Sequence, residues 1–193
     1  GDPFEILPFV VKATVDAKII VTRKSGLGTP RFKYIIFRGD GTIKERNQGT
    51  STVIGQANAA SAITVGAVLY SNTPAYGVTA PTVASFSSRG GVAVNSVDRQ
   101  KPDISAPNGV NTTVDFAAPN LENDPFPNFY GTSAAAPHAG AVAALLNEAK
   151  KKYYSGETFT GEQMKTLLQT SALDMYTPGY DVNSGAGFIR ADE

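Results

Sequence analysis

The chain has 193 residues, 41% of them hydrophobic, with 17 basic side chains against 17 acidic ones and no cysteine. That length supports one domain with a real core, and a formal charge of zero without a basic block argues against a nucleic-acid partner or an anionic membrane surface. The lack of cysteine excludes disulfides, thiolate metal sites and a cysteine nucleophile but leaves the compartment open.

No apolar run reaches the roughly 18 residues of a membrane-spanning helix, so no membrane span is expected. Gly1-Asp2-Pro3-Phe4 has neither a starting Met nor the pattern of a signal peptide, and the chain is expected to be part of a longer product.

Residues 9–15, 17–22 and 32–37 are rich in β-branched and aromatic side chains and read as antiparallel strands, with loop chemistry from Ser25 to Pro30. A three-strand piece this apolar needs further strands to cover it. A polar, glycine-punctuated connection follows from Arg38 to Ser51. Ile63-Thr64-Val65-Gly66-Ala67-Val68-Leu69 is a continuous apolar run, as in a strand buried inside a parallel sheet. Phe86-Ser87-Ser88-Arg89-Gly90 and Lys101-Pro102-Asp103-Ile104-Ser105-Ala106-Pro107-Asn108-Gly109 come next, each closed by Gly or Pro.

From Tyr130 the sequence turns at Gly131-Thr132, and Ser133 opens a helix that is apolar on every side and is therefore expected to be buried all round. The first N–H groups of a helix lack internal partners and carry the positive end of its dipole. A serine there either caps the helix or serves as a nucleophile whose oxyanion those N–H groups receive. Small residues at 134–136, 139–141, 143 and 144 let other backbone come close, and Pro137 disturbs at most the first regular helix bond. Lys150, Lys151 and Lys152 suit the negative end of this helix. Thr160 and Gln163 form a capping-box pattern ahead of Met164, Leu167, Leu168 and Ala172, which share one helix face.

Gly131-Thr132-Ser133-Ala134-Ala135-Ala136-Pro137-His138-Ala139-Gly140 resembles the serine motif of the subtilisin-like serine proteases (subtilases, peptidase family S8). In the same order as in that family, the chain carries a Val-Gly-Ala strand, a Phe-Ser-Ser turn, a Lys-Pro-Asp-x-x-Ala-Pro strand, the serine motif and a closing Gly185-Ala186-Gly187-Phe188-Ile189. The resemblance covers residues 50–193, and motif order makes chance agreement improbable.

It implies an α/β fold, a partial subtilisin-like parallel sheet flanked by helices. Residues 41–193 would be the C-terminal half of a catalytic domain, and residues 1–40 the closing strands of a β-sandwich insertion. It further implies a serine endopeptidase acting on polypeptides, secreted or displayed at the cell surface. Ser133 would be the acyl-enzyme nucleophile, with Thr132 and Gly131 at the oxyanion and substrate backbone.

An alcohol needs a base within hydrogen-bond reach and an acid to orient that base. The single histidine, His138, follows Ser133 by five residues, so the two side chains point roughly 140° apart around the helix. His138 is therefore read as a structural imidazole. By the resemblance, the base His, its Asp and the oxyanion Asn precede this chain, on the N-terminal half of the same catalytic domain. Asp103 matches a structural position, and Asn47 lacks the context of an oxyanion Asn. Alternatively, the protein has lost these residues and is a non-catalytic interaction module.

Other enzyme readings fail on single residues. Ala135 stands where a hydrolase nucleophile elbow needs Gly, and Ala136 where a Ser-x-x-Lys site needs Lys. One histidine cannot supply a His-based metal site. No cofactor is expected. A structural calcium ion has two candidate loops, Asn120, Glu122, Asn123 and Asp124, and residues 174–183, both read as solvated loop for want of EF-hand spacing. Gly39-Asp40 and the Asn111-Thr112-Thr113 sequon are read as loop as well.

Overall fold

A computed structural model describes residues 5–29, 32–36, 41–47 and 49–191. The chain divides into two units, residues 1–34 and residues 35–193. Residues 1–4, Phe37, Gly39 and Asp40, on which expectations were placed, lie outside the described residues.

In the first unit no strand ladder forms among the described residues, and 9–15 and 17–22 stay exposed, Val10 at 93%. Residues 32–36, which span the division, form no ladder either. Strands need a neighbour to bond to and a face to bury, and these segments find neither here.

The second unit contains, in chain order, β1 (Val65–Leu69), β2 (Val92–Val94), β3 (Val97–Arg99), β4 (Ile104–Asn108), α1 (Thr132–Tyr153) and α2 (Gly161–Thr170). β1 and β4 pair in parallel with Val65 opposite Ile104 and Leu69 opposite Asn108, while β2 and β3 form an antiparallel hairpin. The sheet grows by single bridges on both sides. Val83 lies antiparallel to Val68, Phe188 lies parallel to Ser105, and Leu173 closes antiparallel on Phe188. β4 is thus central, which is why its residues are almost all buried, as the apolar parallel-strand pattern predicts.

α1 packs across both β1 and β4. Ala135 and Ala139 meet Ala67, Ile104 and Ala106 in the main core, with Met164 and Leu168 of α2 and Ile189 closing it. Small residues on both surfaces let the helix backbone approach the sheet. The expectation of burial all round is met on this face only: Leu145 is 62% exposed. A helix on one side of a sheet buries one stripe, and an all-round apolar helix needs a second layer that these residues do not supply. α2 carries the expected capping box, with Gln163 N–H donating to Thr160 Oγ1 at 3.2 Å and Thr160 N–H to Gln163 Oε1 at 2.9 Å.

At the start of β1 and β4 lies a buried charge network. Lys101 Nζ sits 2.7 Å from Asp103 Oδ2, Lys165 Nζ 2.7 Å from Asp103 Oδ1, and Thr64 N–H donates to Oδ2 at 2.7 Å. Asp103 thus has the structural place expected of it.

Candidate active site

α1 begins at the C-terminal end of β4. Its N-cap is Gly131, not Ser133, with φ 118° and ψ 170°, a region that favours glycine. Gly131 N–H donates to Asn108 Oδ1 at 3.3 Å, and Gly131 O accepts from Ala134 N–H at 3.0 Å and Ala135 N–H at 3.2 Å. The turn is thus held from both sides.

Ser133 is exposed at the second helical position, and no side chain caps the helix. Its hydroxyl has no hydrogen-bond partner among the described residues, which removes the capping reading of this serine. The N–H groups of Thr132 and Ser133 are likewise without a partner there, as the first donors of a helix are unless something outside it accepts. A hydroxyl and two free N–H groups therefore share one helix end, where the dipole favours negative charge.

Pro137 lies in the second turn and removes the N–H that would bond to Ser133 O. His138 Nδ1 lies 2.7 Å from Ala134 O, one turn back, and the ring is half-buried. This is the structural imidazole the spacing predicts. Among the described residues neither a histidine nor a carboxylate is bonded to the Ser133 hydroxyl.

Asn108 gave no signal in the sequence beyond a turn-like Asn-Gly pair, yet it is 1% exposed and fixes the serine turn. The loop from 110 to 130 folds back on itself through Phe129 N–H to Val110 O at 3.1 Å and Gly109 N–H to Phe129 O at 2.9 Å. Its centre is the fully buried Asn128, which donates to Gly109 O at 2.9 Å and Glu122 Oε2 at 2.8 Å and accepts from Leu121 N–H at 2.8 Å.

In the two candidate calcium loops the carboxylates accept from the protein itself. Asp124 takes Phe126 N–H at 2.8 Å and the Asn111 amide at 2.6 Å; Asp174 takes Gly179 N–H, and Asp181 takes Asn183 N–H, each at 2.7 Å. Among the described residues no group of three metal-ligating His, Cys, Asp or Glu side chains occurs.

A serine at the N-terminus of a small-residue helix, packed on a parallel pair with motifs in fixed order, defines a class of protein. The chain belongs to the Subtilase family, whose model matches residues 16–187. It is similar to the Subtilisin-like protease SBT4.12 of Arabidopsis thaliana, 35% identical over 123 residues, with 58% of this chain and 16% of that protein covered. It is also similar to the Subtilisin-like protease SBT2.1 of Arabidopsis thaliana, 29% identical over 135 residues, with 66% and 15% covered. The matched stretch therefore spans about a sixth of those relatives.

Among solved structures it resembles fervidolysin from Fervidobacterium pennivorans, a keratinolytic enzyme related to subtilisin (TM-score 0.51, 26% identity, 71% of this chain and 19% of that one). It resembles equally the CspB protease of Clostridium perfringens (TM-score 0.50, 26% identity, 67% and 25%).

Proposed function

We propose that this chain carries the nucleophile of a subtilisin-type serine endopeptidase. The observation that supports this reading best is the state of Ser133: an exposed hydroxyl that caps nothing, beside two unpartnered N–H groups at the positive end of α1.

In the complete enzyme Ser133 Oγ attacks the carbonyl carbon of a peptide bond while its proton passes to a histidine base supplied by upstream sequence, oriented by an upstream aspartate. The carbonyl oxygen becomes an oxyanion, met by the N–H of Ser133, with Thr132 beside it and an upstream asparagine completing the set. The amine leaves with the proton, and water then hydrolyses the acyl-enzyme. Gly131 leaves room for substrate backbone. The bare apolar face of α1 at Leu145 fits a partner in the N-terminal half of the same catalytic domain. A secreted or cell-surface location belongs to the same proposal.

The test is covalent labelling by a fluorophosphonate probe, on the 193-residue chain and on the whole gene product, with Ser133→Ala as control. Serine-dependent labelling of the whole product alone is the expected result. No labelling of either would replace the endopeptidase by a non-catalytic interaction module.

A further inference from the structure

A cleft of about 370 Å³ opens at the C-terminal ends of β1 and β4, between Tyr70, Tyr76, Pro107, Asn111 and Glu122. Crevices at the carboxyl ends of parallel strands are where open α/β sheets bind ligands. The serine turn stands at the same edge, because Asn108, the last residue of β4, holds Gly131. Val110, a further wall of the cleft, is bonded to Phe129, four residues before Ser133. Four residues reach at most about 14 Å, so the cleft lies within a short peptide's length of Ser133.

The chemistry of the cleft is anionic and aromatic. The Glu122 carboxylate accepts from the Tyr70 hydroxyl, the Asn128 amide and its own backbone N–H, which leaves about one of its four lone-pair positions for a further donor. Among the described residues no lysine or arginine pairs with it. The Tyr70 hydroxyl holds Glu122 below the usual carboxylate range despite its partial desolvation, and the nearby Asp124 adds a second negative charge. The rings of Tyr70 and Tyr76 meet edge to face at 5.3 Å, and Tyr76 is 61% exposed. A carboxylate next to exposed ring faces is the environment that selects a cation, and a planar guanidinium uses both better than an ammonium does.

We infer that this cleft receives a basic side chain of a polypeptide substrate, arginine before lysine, from a residue within about four positions of the bond that Ser133 attacks. The inference rests on the endopeptidase reading, and its test does not need turnover. Blocked octapeptides of alanine and serine, with one arginine moved through every position, are compared with norleucine counterparts. Binding is read by fluorescence polarisation on the whole gene product carrying Ser133→Ala.

The best-placed arginine is expected to bind roughly tenfold tighter than norleucine, and the preference is expected to shrink at high salt. Glu122→Gln should bring the two peptides to parity, and Tyr76→Leu, which leaves the Asn128 bond in place, should reduce the preference severalfold. Equal binding of arginine and norleucine peptides, absence of binding by both, or an undiminished preference in both variants overturns the inference. Fluorophosphonate labelling separates the two readings: a labelled Ser133 without arginine preference removes the cleft alone, and arginine preference without labelling removes the peptidase alone.

Discussion

Asn108 Oδ1 accepts the Gly131 N–H at 3.3 Å and so ties the last residue of the central strand to the turn that presents Ser133. Asn108→Ala removes the acceptor from a buried position and leaves the turn free to drift. The expected cost is about 1–3 kcal/mol in urea unfolding, with slower fluorophosphonate labelling of Ser133 in the whole product. Unchanged labelling kinetics would show that the turn keeps its shape without this bond.

The Asp103 carboxylate lies between the ammonium groups of Lys101 and Lys165. Asp103→Ala leaves the Lys101 ammonium, 1% exposed, without its counter-ion. Removing one partner of a buried pair costs about 3–5 kcal/mol, because the remaining charge stays out of water. Denaturant unfolding checks this, and the loss should vary little between low and high salt, since buried charges are poorly screened.

Gly187 has φ 127°, and a Cβ there would stand 2.1 Å from Leu173 O. Leu173 and Phe188 exchange their N–H bonds at 2.8 Å, so that carbonyl cannot retreat without breaking the sheet edge. Gly187→Ala should cost about 3 kcal/mol or more through strain and overlap together. Gly140→Ala is the control: nothing lies within 4 Å of the added methyl, and a helix interior favours alanine. A thermal melt of both variants decides the matter.

Tyr180 donates its hydroxyl to Lys101 O at 2.8 Å, and burial pushes its pKa up to about 12. The raised value means that the unfolded chain ionises this group near its ordinary pKa of about 10 while the fold keeps it neutral. Its contribution is therefore complete below about pH 10 and falls as pH rises toward 12. Tyr70 shares the direction, its hydroxyl bonded to the Glu122 carboxylate. Stability measured from pH 9 upward should decline, and Tyr180→Phe should flatten the decline. An identical slope in the variant would assign the alkaline loss to other groups.

The two core strands, the serine helix, the α2 capping box and the closing Gly-x-Gly segment could be read in the sequence because each is specified locally, by an apolar run, a cap or a glycine. The β2–β3 hairpin could not. Its turn, Asn95-Ser96, puts both residues at positive φ, 50° and 61°, and lacks the Gly that signals such turns. Asn108 and Asn128 were silent for another reason: an asparagine's value lies in which distant backbone groups it meets, and spacing does not reveal those. Residues 9–15 and 17–22 carry strand composition without a ladder, since composition specifies a preference and a ladder needs a neighbour.

A parallel pair cannot be closed by a hairpin, and the chain's connectivity has a consequence in time. Thr64 and Asp103, bonded at the start of the two core strands, are 39 residues apart. At about 5–20 residues per second of synthesis, β1 leaves the ribosome about 2–8 s before β4 exists to pair with it. For that interval the edge of the Val-Gly-Ala-Val-Leu strand that β4 will cover stands bare, a nascent-chain liability fixed by strand order and not by composition.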